Sequence, residues 1–268
     1  MGVSIRGGLE ALIHTTRQVV EEEQARGEEG DDDDDLMILS LDLINAFNLV
    51  DREKAFKEVE EFFPEILSWV LTCYKHQAVL NFGNTVILSE TGFHQGDPLA
   101  SLLFSVALQP IVKMIAERLP DLCINGWYLD DGGITGKKEE LREVVDILIE
   151  HGPARGLHLS TSNTTNNPKS TVWSPRAVRA NSLDPLGRGI PSVKDSGIVL
   201  LGSPVGSAEF ERRVIRERME KVREISDRLP LIKDPQTEYA LLRSCLSLPK
   251  IMFTIQVTTW TCGRSMMK

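Results

Sequence analysis

The sequence predicts an α+β fold, with helices flanking an antiparallel or mixed sheet. Three observations predict it. A continuous apolar run, Leu36-Met37-Ile38-Leu39-Ser40-Leu41, lies between an acidic tract and Asp42, as a strand buried on both faces would. Short strand-like runs alternate with amphipathic helical stretches along the rest of the 268 residues. No G-x-G-x-x-G follows a strand and no G-x-x-x-x-G-K-S/T occurs, which argues against a doubly wound nucleotide-binding fold.

Residues 9–20 read as a helix, with Leu12, Ile13, Thr16, Val19 and Val20 near one face. Residues 21–35 are rich in Glu, Gly and Asp and end in five aspartates, the composition of a solvated, mobile loop. The acidity is local. Residues 1–40 carry 3 Lys/Arg and 11 Asp/Glu, which leaves 27 basic and 28 acidic side chains in 41–268. The net charge of −9 therefore belongs almost wholly to this tract, and a balanced body leaves nucleic-acid binding open. Cys73, Cys123, Cys245 and Cys262 are scattered without a C-x-x-C pair. Reduced thiols in an intracellular protein are expected, with nucleus or cytoplasm undecided, and neither a zinc site nor a disulfide scaffold.

Beyond Asp42, a helix starts at Asp51-Arg52 and is stopped by Pro64, and a second covers 65–74. Residues 77–82 and 85–89 form a hairpin about Gly83-Asn84. Gly92, Gly96 and Pro98 shape a loop, in which Asp97-Pro98 supplies an N-cap and a first-turn proline. The helix at 99–118 is the most apolar stretch. Gln109, Pro110 and Lys113 interrupt it, so it reads as a buried helix, and no membrane partner is expected. A strand over 122–128 leads into the turn Leu129-Asp130-Asp131, then Gly132-Gly133 and a returning strand at 134–135. An amphipathic helix (138–151), a short strand (157–159) and a polar loop (160–167) follow, and Lys169 opens another strand. Residues 174–192 read as irregular, 198–201 as a strand, 202–206 as a turn and short hairpin, and 210–228 and 238–246 as helices. No terminal element is expected after them.

Asp42 ends the buried strand, and Asp130-Asp131 occupies a hairpin turn further along the chain. If the two strands are neighbours, three carboxylates converge and repel one another unless cations are present. Two Mg²⁺ ions roughly 4 Å apart would relieve that repulsion and build a phosphoryl-transfer site.

Five motifs, in order, resemble those of reverse transcriptases. Asp42-Leu43-Ile44-Asn45-Ala46-Phe47 is similar to the first carboxylate motif of that family. His94-Gln95-Gly96-Asp97-Pro98-Leu99 resembles the Gln-Gly loop and its helix, and Tyr128-Leu129-Asp130-Asp131 the catalytic hairpin. Pro168-Lys169-Ser170 is similar to the lysine motif, and Leu201-Gly202-Ser203 to the primer-grip hairpin. The Gln-Gly-Asp-Pro-Leu form and the segment Gly7-Gly8-Leu9-Glu10-Ala11 resemble the LINE-like, non-long-terminal-repeat enzymes.

The resemblance implies a polymerase palm with partial fingers and partial thumb. It divides the chain into a fingers remnant with the acidic loop (1–40), a palm (41–206, with a fingers insertion at about 60–92) and the start of a thumb (207–268). It implies Mg²⁺, with Mn²⁺ as the alternative, held by Asp42, Asp130, Asp131 and the Leu43 carbonyl. Phe47 would lie under the incoming sugar, Gln95, Gly96 and Tyr128 would line the nucleotide and template pocket, and Leu201 and Gly202 would grip the primer. Lys169 would be general acid to the pyrophosphate. The implied partners are an RNA template, a DNA primer and deoxynucleoside triphosphates. The implied activity is RNA-directed DNA synthesis, by a retroelement fragment, since only 41 residues precede Asp42. A catalytically inactive palm fragment that binds nucleic acid or protein is the second reading.

Overall fold

Met37, Leu39 and Leu41 of the strand Leu36–Leu41 (β1) pack into one apolar cluster, and Ile38 packs into another. Successive side chains alternate across a strand, so burial on both faces makes the run continuously apolar. The computed structural model describes residues 7–25, 35–176, 183–246 and 248–258. In it, β1 is an inner strand of an antiparallel sheet of order β4-β5-β1-β6, formed with Ile124–Tyr128 (β4), Asp131–Lys137 (β5) and Thr171–Trp173 (β6). Of the two sheet types expected, the antiparallel one is found, with helices about it, which bears out the α+β reading.

The helix Gly8–Ala25 (α1) precedes β1, and the short helix Ala46–Leu49 (α2) follows it. Next come Arg52–Phe62 (α3) and Pro64–Tyr74 (α4), then a separate hairpin of Ala78–Phe82 (β2) and Thr85–Ser89 (β3). The cap expected from sequence at Asp97 is made, and Asp51 caps α3 in the same way. The Asp51 side chain accepts from Lys54 N at 2.9 Å, and Asp97 accepts from Leu99 N at 2.9 Å at the start of Pro98–Arg118 (α5). The helix Lys138–His151 (α6) follows β5. Side chains of α3, α4, α5 and α6 fill the larger cluster on one side of the sheet. Beyond β6 lie the hairpin Gly197–Leu200 (β7) and Ser203–Gly206 (β8), then Ala208–Ser226 (α7), Pro235–Ser244 (α8) and Leu248–Val257 (α9). On the opposite side of the sheet, Ile13 and Val20 of α1 form the smaller cluster with Ile38, Trp173, Ile198, Leu200 and Val205.

Four expectations are corrected. First, α1 runs five residues past Val20, and Glu23 is buried and paired with Arg176 at 2.9 Å. Second, Asp35, the last of the five aspartates, is buried and paired with the same arginine, also at 2.9 Å. Glu and Asp in a polar run look solvated until a distant cation neutralises them; the rest of the tract, 26–34, lies outside the described residues. Third, residues 157–159 make a single bridge, Leu43 to Leu159, rather than a strand. Fourth, Leu248–Val257 form the helix α9, where no element is expected from the sequence. In addition, α5 has the length and apolarity to cross a membrane, although 56% of its most apolar window is buried within the fold.

Candidate active site

The last paired residues of β1 and β5 are Leu41 and Gly132. Continuing that register by one step puts Asp42 opposite Asp131. Gly132 permits the approach: a Cβ there would sit 3.0 Å from both Leu41 Cβ and the Trp127 ring. The turn from β4 to β5 has two residues, Leu129 and Asp130, between the paired Tyr128 and Asp131. Leu129 has φ 56°, a left-handed conformation costly for leucine. Its side chain packs against the larger cluster, which offsets the strain and pins the turn.

Asp42 is held from residues outside the sheet, Ser160 and Ser170, the second of which leads into β6. Its N–H donates to Ser170 Oγ at 3.1 Å, and its carbonyl accepts from Ser160 N at 2.9 Å and from the Ser170 hydroxyl at 3.3 Å. Ser170 is fully buried, so the backbone at Asp42 is fixed while the carboxylate keeps partial exposure. Lys169 stands beside it, with Nζ 3.7 Å from Asp42 Oδ1.

The electrostatics are those of crowded anions. Burial raises the proton affinity of Asp42, Lys169 lowers it, and Asp130 raises it again. Asp131 is exposed at the start of β5, yet its carboxyl is pushed up to about 6, by partial desolvation first, then by Asp130 and Asp42, with Lys169 opposing. Three carboxylates thus share one field that a single exposed lysine does not neutralise. Among the described residues no three His, Cys, Asp or Glu side chains form a ready-made metal cage. The donor chemistry nevertheless fits a hard divalent cation, which is bound by carboxylate oxygens and relieves such repulsion.

The other expected site residues lie around this point. Leu43 is buried, and its neighbour Ile44 donates its N–H to His158 O at 2.7 Å. Phe47 in α2 stacks on Phe104 of α5, ring centroids 4.6 Å apart at 19°. Gln95 and Gly96 are exposed, and Gly96 has φ 96° with nothing within 4 Å of where a Cβ would stand. Their loop reaches the Asp42 region through Phe93 N, which donates to Phe47 O at 2.6 Å. Tyr128 ends β4 with its side chain exposed. Leu201 (φ 50°) and Gly202 (φ 77°) form the β7–β8 turn. That hairpin docks on β5, where a Cβ on Gly133, two residues past Asp131, would lie 3.1 Å from Leu200.

Residues 10–173 match the model of the family described as reverse transcriptase (RNA-dependent DNA polymerase). The chain belongs to the reverse transcriptase family. No curated protein matches the chain. The matched segment covers all three aspartates, the Gln95-Gly96 loop and Lys169, and ends at Trp173, before the β7–β8 hairpin. Membership implies a nucleic-acid template and primer and nucleotide substrates. Sequence reasoning missed three side chains around this reverse transcriptase site: Ser170, Arg52 and Tyr74. Ser170 was visible only as the neighbour of Lys169, and nothing local marks the other two.

Proposed function

We propose that this domain is an RNA-directed DNA polymerase of the LINE-like, non-long-terminal-repeat type. Asp42, Asp130 and Asp131 would hold Mg²⁺ or Mn²⁺ together with the Leu43 carbonyl. The observation that carries the reading is the register that sets Asp42 opposite Asp131, with both carboxyls raised in proton affinity, by desolvation first and then by the neighbouring Asp130. The LINE-like assignment rests on Gln95-Gly96-Asp97-Pro98-Leu99 and Gly7-Gly8-Leu9-Glu10-Ala11.

Bound there, the metal would lower the pKa of the primer 3′-hydroxyl and offset charge on the departing pyrophosphate. The chain's own groups do the rest. Ser170 and Ser160 keep the Asp42 backbone still, so that its carboxylate meets the substrate without reorganising. Lys169, exposed and loosely paired, can turn from Asp42 to the leaving pyrophosphate and give it a proton. Phe47, stacked on Phe104, would present a rigid edge to the sugar and disfavour a 2′-hydroxyl. Gln95 and Gly96 would face the templating base and nucleotide, where the open space at Gly96 admits close approach. Tyr128 would border the same pocket, and Leu201-Gly202 would steady the primer end. On this reading, residues 41–206 are the palm, with a fingers insertion at about 60–92, 207–268 begin the thumb, and 1–40 belong to the fingers.

Extension of a DNA primer on an RNA template tests the proposal. Incorporation that depends on Mg²⁺ and vanishes in Asp130→Ala/Asp131→Ala is expected. Wild-type incorporation no higher than that control would refute it.

A further inference from the structure

The loop that carries Gln95 and Gly96 has no regular secondary structure, and side chains from two helices hold it. Arg52, in the first turn of α3, is buried and turns its whole guanidinium on the base of the loop. Its Nε donates to Gly92 O at 2.6 Å, Nη1 to Ser89 O at 3.0 Å, and Nη2 to Ser89 Oγ at 2.9 Å and Thr91 O at 3.1 Å. Only a planar fork can reach three carbonyls at once; a lysine would supply the charge without that span. Tyr74, the last residue of α4, secures the other end. Its hydroxyl donates to the Asp97 carboxylate and accepts from His94 N at 3.4 Å. The two side chains support each other, with the Arg52 guanidinium carbon 5.4 Å from the centre of the Tyr74 ring.

Between these two ends the loop rests on the backbone that follows Asp42. Gly92 N donates to Val50 O at 2.9 Å, Phe93 N to Phe47 O at 2.6 Å, and the Thr91 hydroxyl to Asn48 O at 2.8 Å. Gly92 is required for that contact, because a Cβ there would collide with Phe47 O and the Asn48 carbonyl. The Phe93 side chain is buried in the core, edge-on to Tyr74 with ring centres 5.0 Å apart. Movement of either helix would therefore move Gln95 relative to Phe47.

We propose that Arg52 and Tyr74 are positioning residues that clamp the Gln95–Gly96 loop against the Phe47 segment, so that the nucleotide and templating base meet a preformed wall. The proposal rests on the polymerase reading of the site. Neither side chain needs to touch substrate. Their effect passes through the loop, which sets how well the deoxynucleotide is bound rather than how fast it reacts.

Hydrogen exchange of the full chain, read by mass spectrometry, tests the clamp without recourse to activity. In Arg52→Gln and in Tyr74→Phe, amides of residues 92–97 are expected to exchange at least roughly tenfold faster, while β1 and β5 keep wild-type rates. Arg52→Lys is expected to restore only part of the protection. Unchanged exchange at 92–97, or equal acceleration over the whole chain, overturns the clamp. Tyr74→Phe removes one hydroxyl and keeps the test decisive if Arg52→Gln does not fold. In primer extension the same variants are expected to raise KM for the deoxynucleotide roughly tenfold, with little change in kcat or in primer–template Kd. An unchanged KM overturns the role assigned to the loop. If the wild type extends no primer above the Asp131→Asn background, the polymerase reading fails, while the exchange result still decides whether Arg52 and Tyr74 hold the loop.

Discussion

Lys169 Nζ lies 3.7 Å from Asp42 Oδ1, and the two side chains differ sharply in exposure, 68% for the lysine and 26% for the aspartate. The lysine is the solvated member of the pair. It moderates the charge on Asp42 without cancelling the effect of burial, since the carboxyl stays above its ordinary proton affinity. Lys169→Ala is expected to lower the single-turnover incorporation rate by roughly 100-fold, the scale of a lost general acid. Stability measured by urea unfolding should move by no more than about 0.5 kcal/mol, as for an exposed ion pair. An unchanged rate would remove Lys169 from the chemistry.

Asp131 makes the metal-free protein sensitive to pH. Its carboxyl sits at about 6 in the fold, against an ordinary 3.8. The folded state therefore binds the proton more tightly, and the stabilisation is fully present below 3.8 and lost as pH rises through about 6. Asp131→Asn should be more stable than wild type at about pH 7.5 and lose that advantage at about pH 4, by on the order of 1 kcal/mol after solvent screening. Millimolar Mg²⁺ should raise the melting temperature of the wild type more than that of the variant. Thermal unfolding of both proteins across pH, with and without Mg²⁺, measures this; parallel curves would show that Asp131 carries no such strain.

Gly92→Ala should damage the fold as well as the site. The residue has φ 67°, and a methyl group would collide with the backbone of Phe47 and Asn48. Strain plus clash costs roughly 2–4 kcal/mol. Urea unfolding measures the loss, and a midpoint equal to wild type would mean that the loop is not seated on α2.

Arg17 of α1 and Glu211 of α7 form a buried ion pair at 2.8 Å, and Arg17 also donates to Pro204 O and Ser203 Oγ in β8. Burial raises the proton affinity of Glu211, and Arg17 holds it down. Arg17→Met alone leaves a buried carboxylate unpaired and should cost roughly 3–5 kcal/mol at neutral pH. The cost should shrink at low pH, where Glu211 takes up a proton. Arg17→Met/Glu211→Met should recover most of the loss. A double-mutant cycle by urea unfolding measures the coupling, and additive losses would show that the two side chains act separately.

Much of this arrangement is local in origin and so is legible in the residues. The apolar run of β1 shows as continuous because both faces of the strand are covered. Asp51 and Asp97 announce their helices because a cap is an interaction over two or three residues. The β4–β5 hairpin and its aspartates show because turn chemistry is read over four residues. What was hidden depends on partners far away in sequence. Glu23 and Asp35 look solvated in an acidic tract, and Arg176 buries both. Ser170 is one hydroxyl among many until it meets the Asp42 backbone 128 residues away. Arg52 and Tyr74 look like ordinary positions at the start of one helix and the end of another.

The sequence by itself determined most of the secondary elements, the order of the motifs and the placing of an aspartate at the ends of two strands. Backbone propensity, alternation and capping act over a few residues, so composition is enough to specify them. Only the tertiary structure decided that β1 pairs with β5 in the register that sets Asp42 opposite Asp131, and that Lys169 and Ser170 arrive from the segment just before β6. Pairing is fixed by which apolar faces are buried together, and a slip of one residue would turn every side chain of β1 to the other face. The raised proton affinity of Asp42 and Asp131 follows from where the fold puts them, because desolvation, the larger cause, and repulsion from nearby carboxylates depend on distance in space and not on separation along the chain.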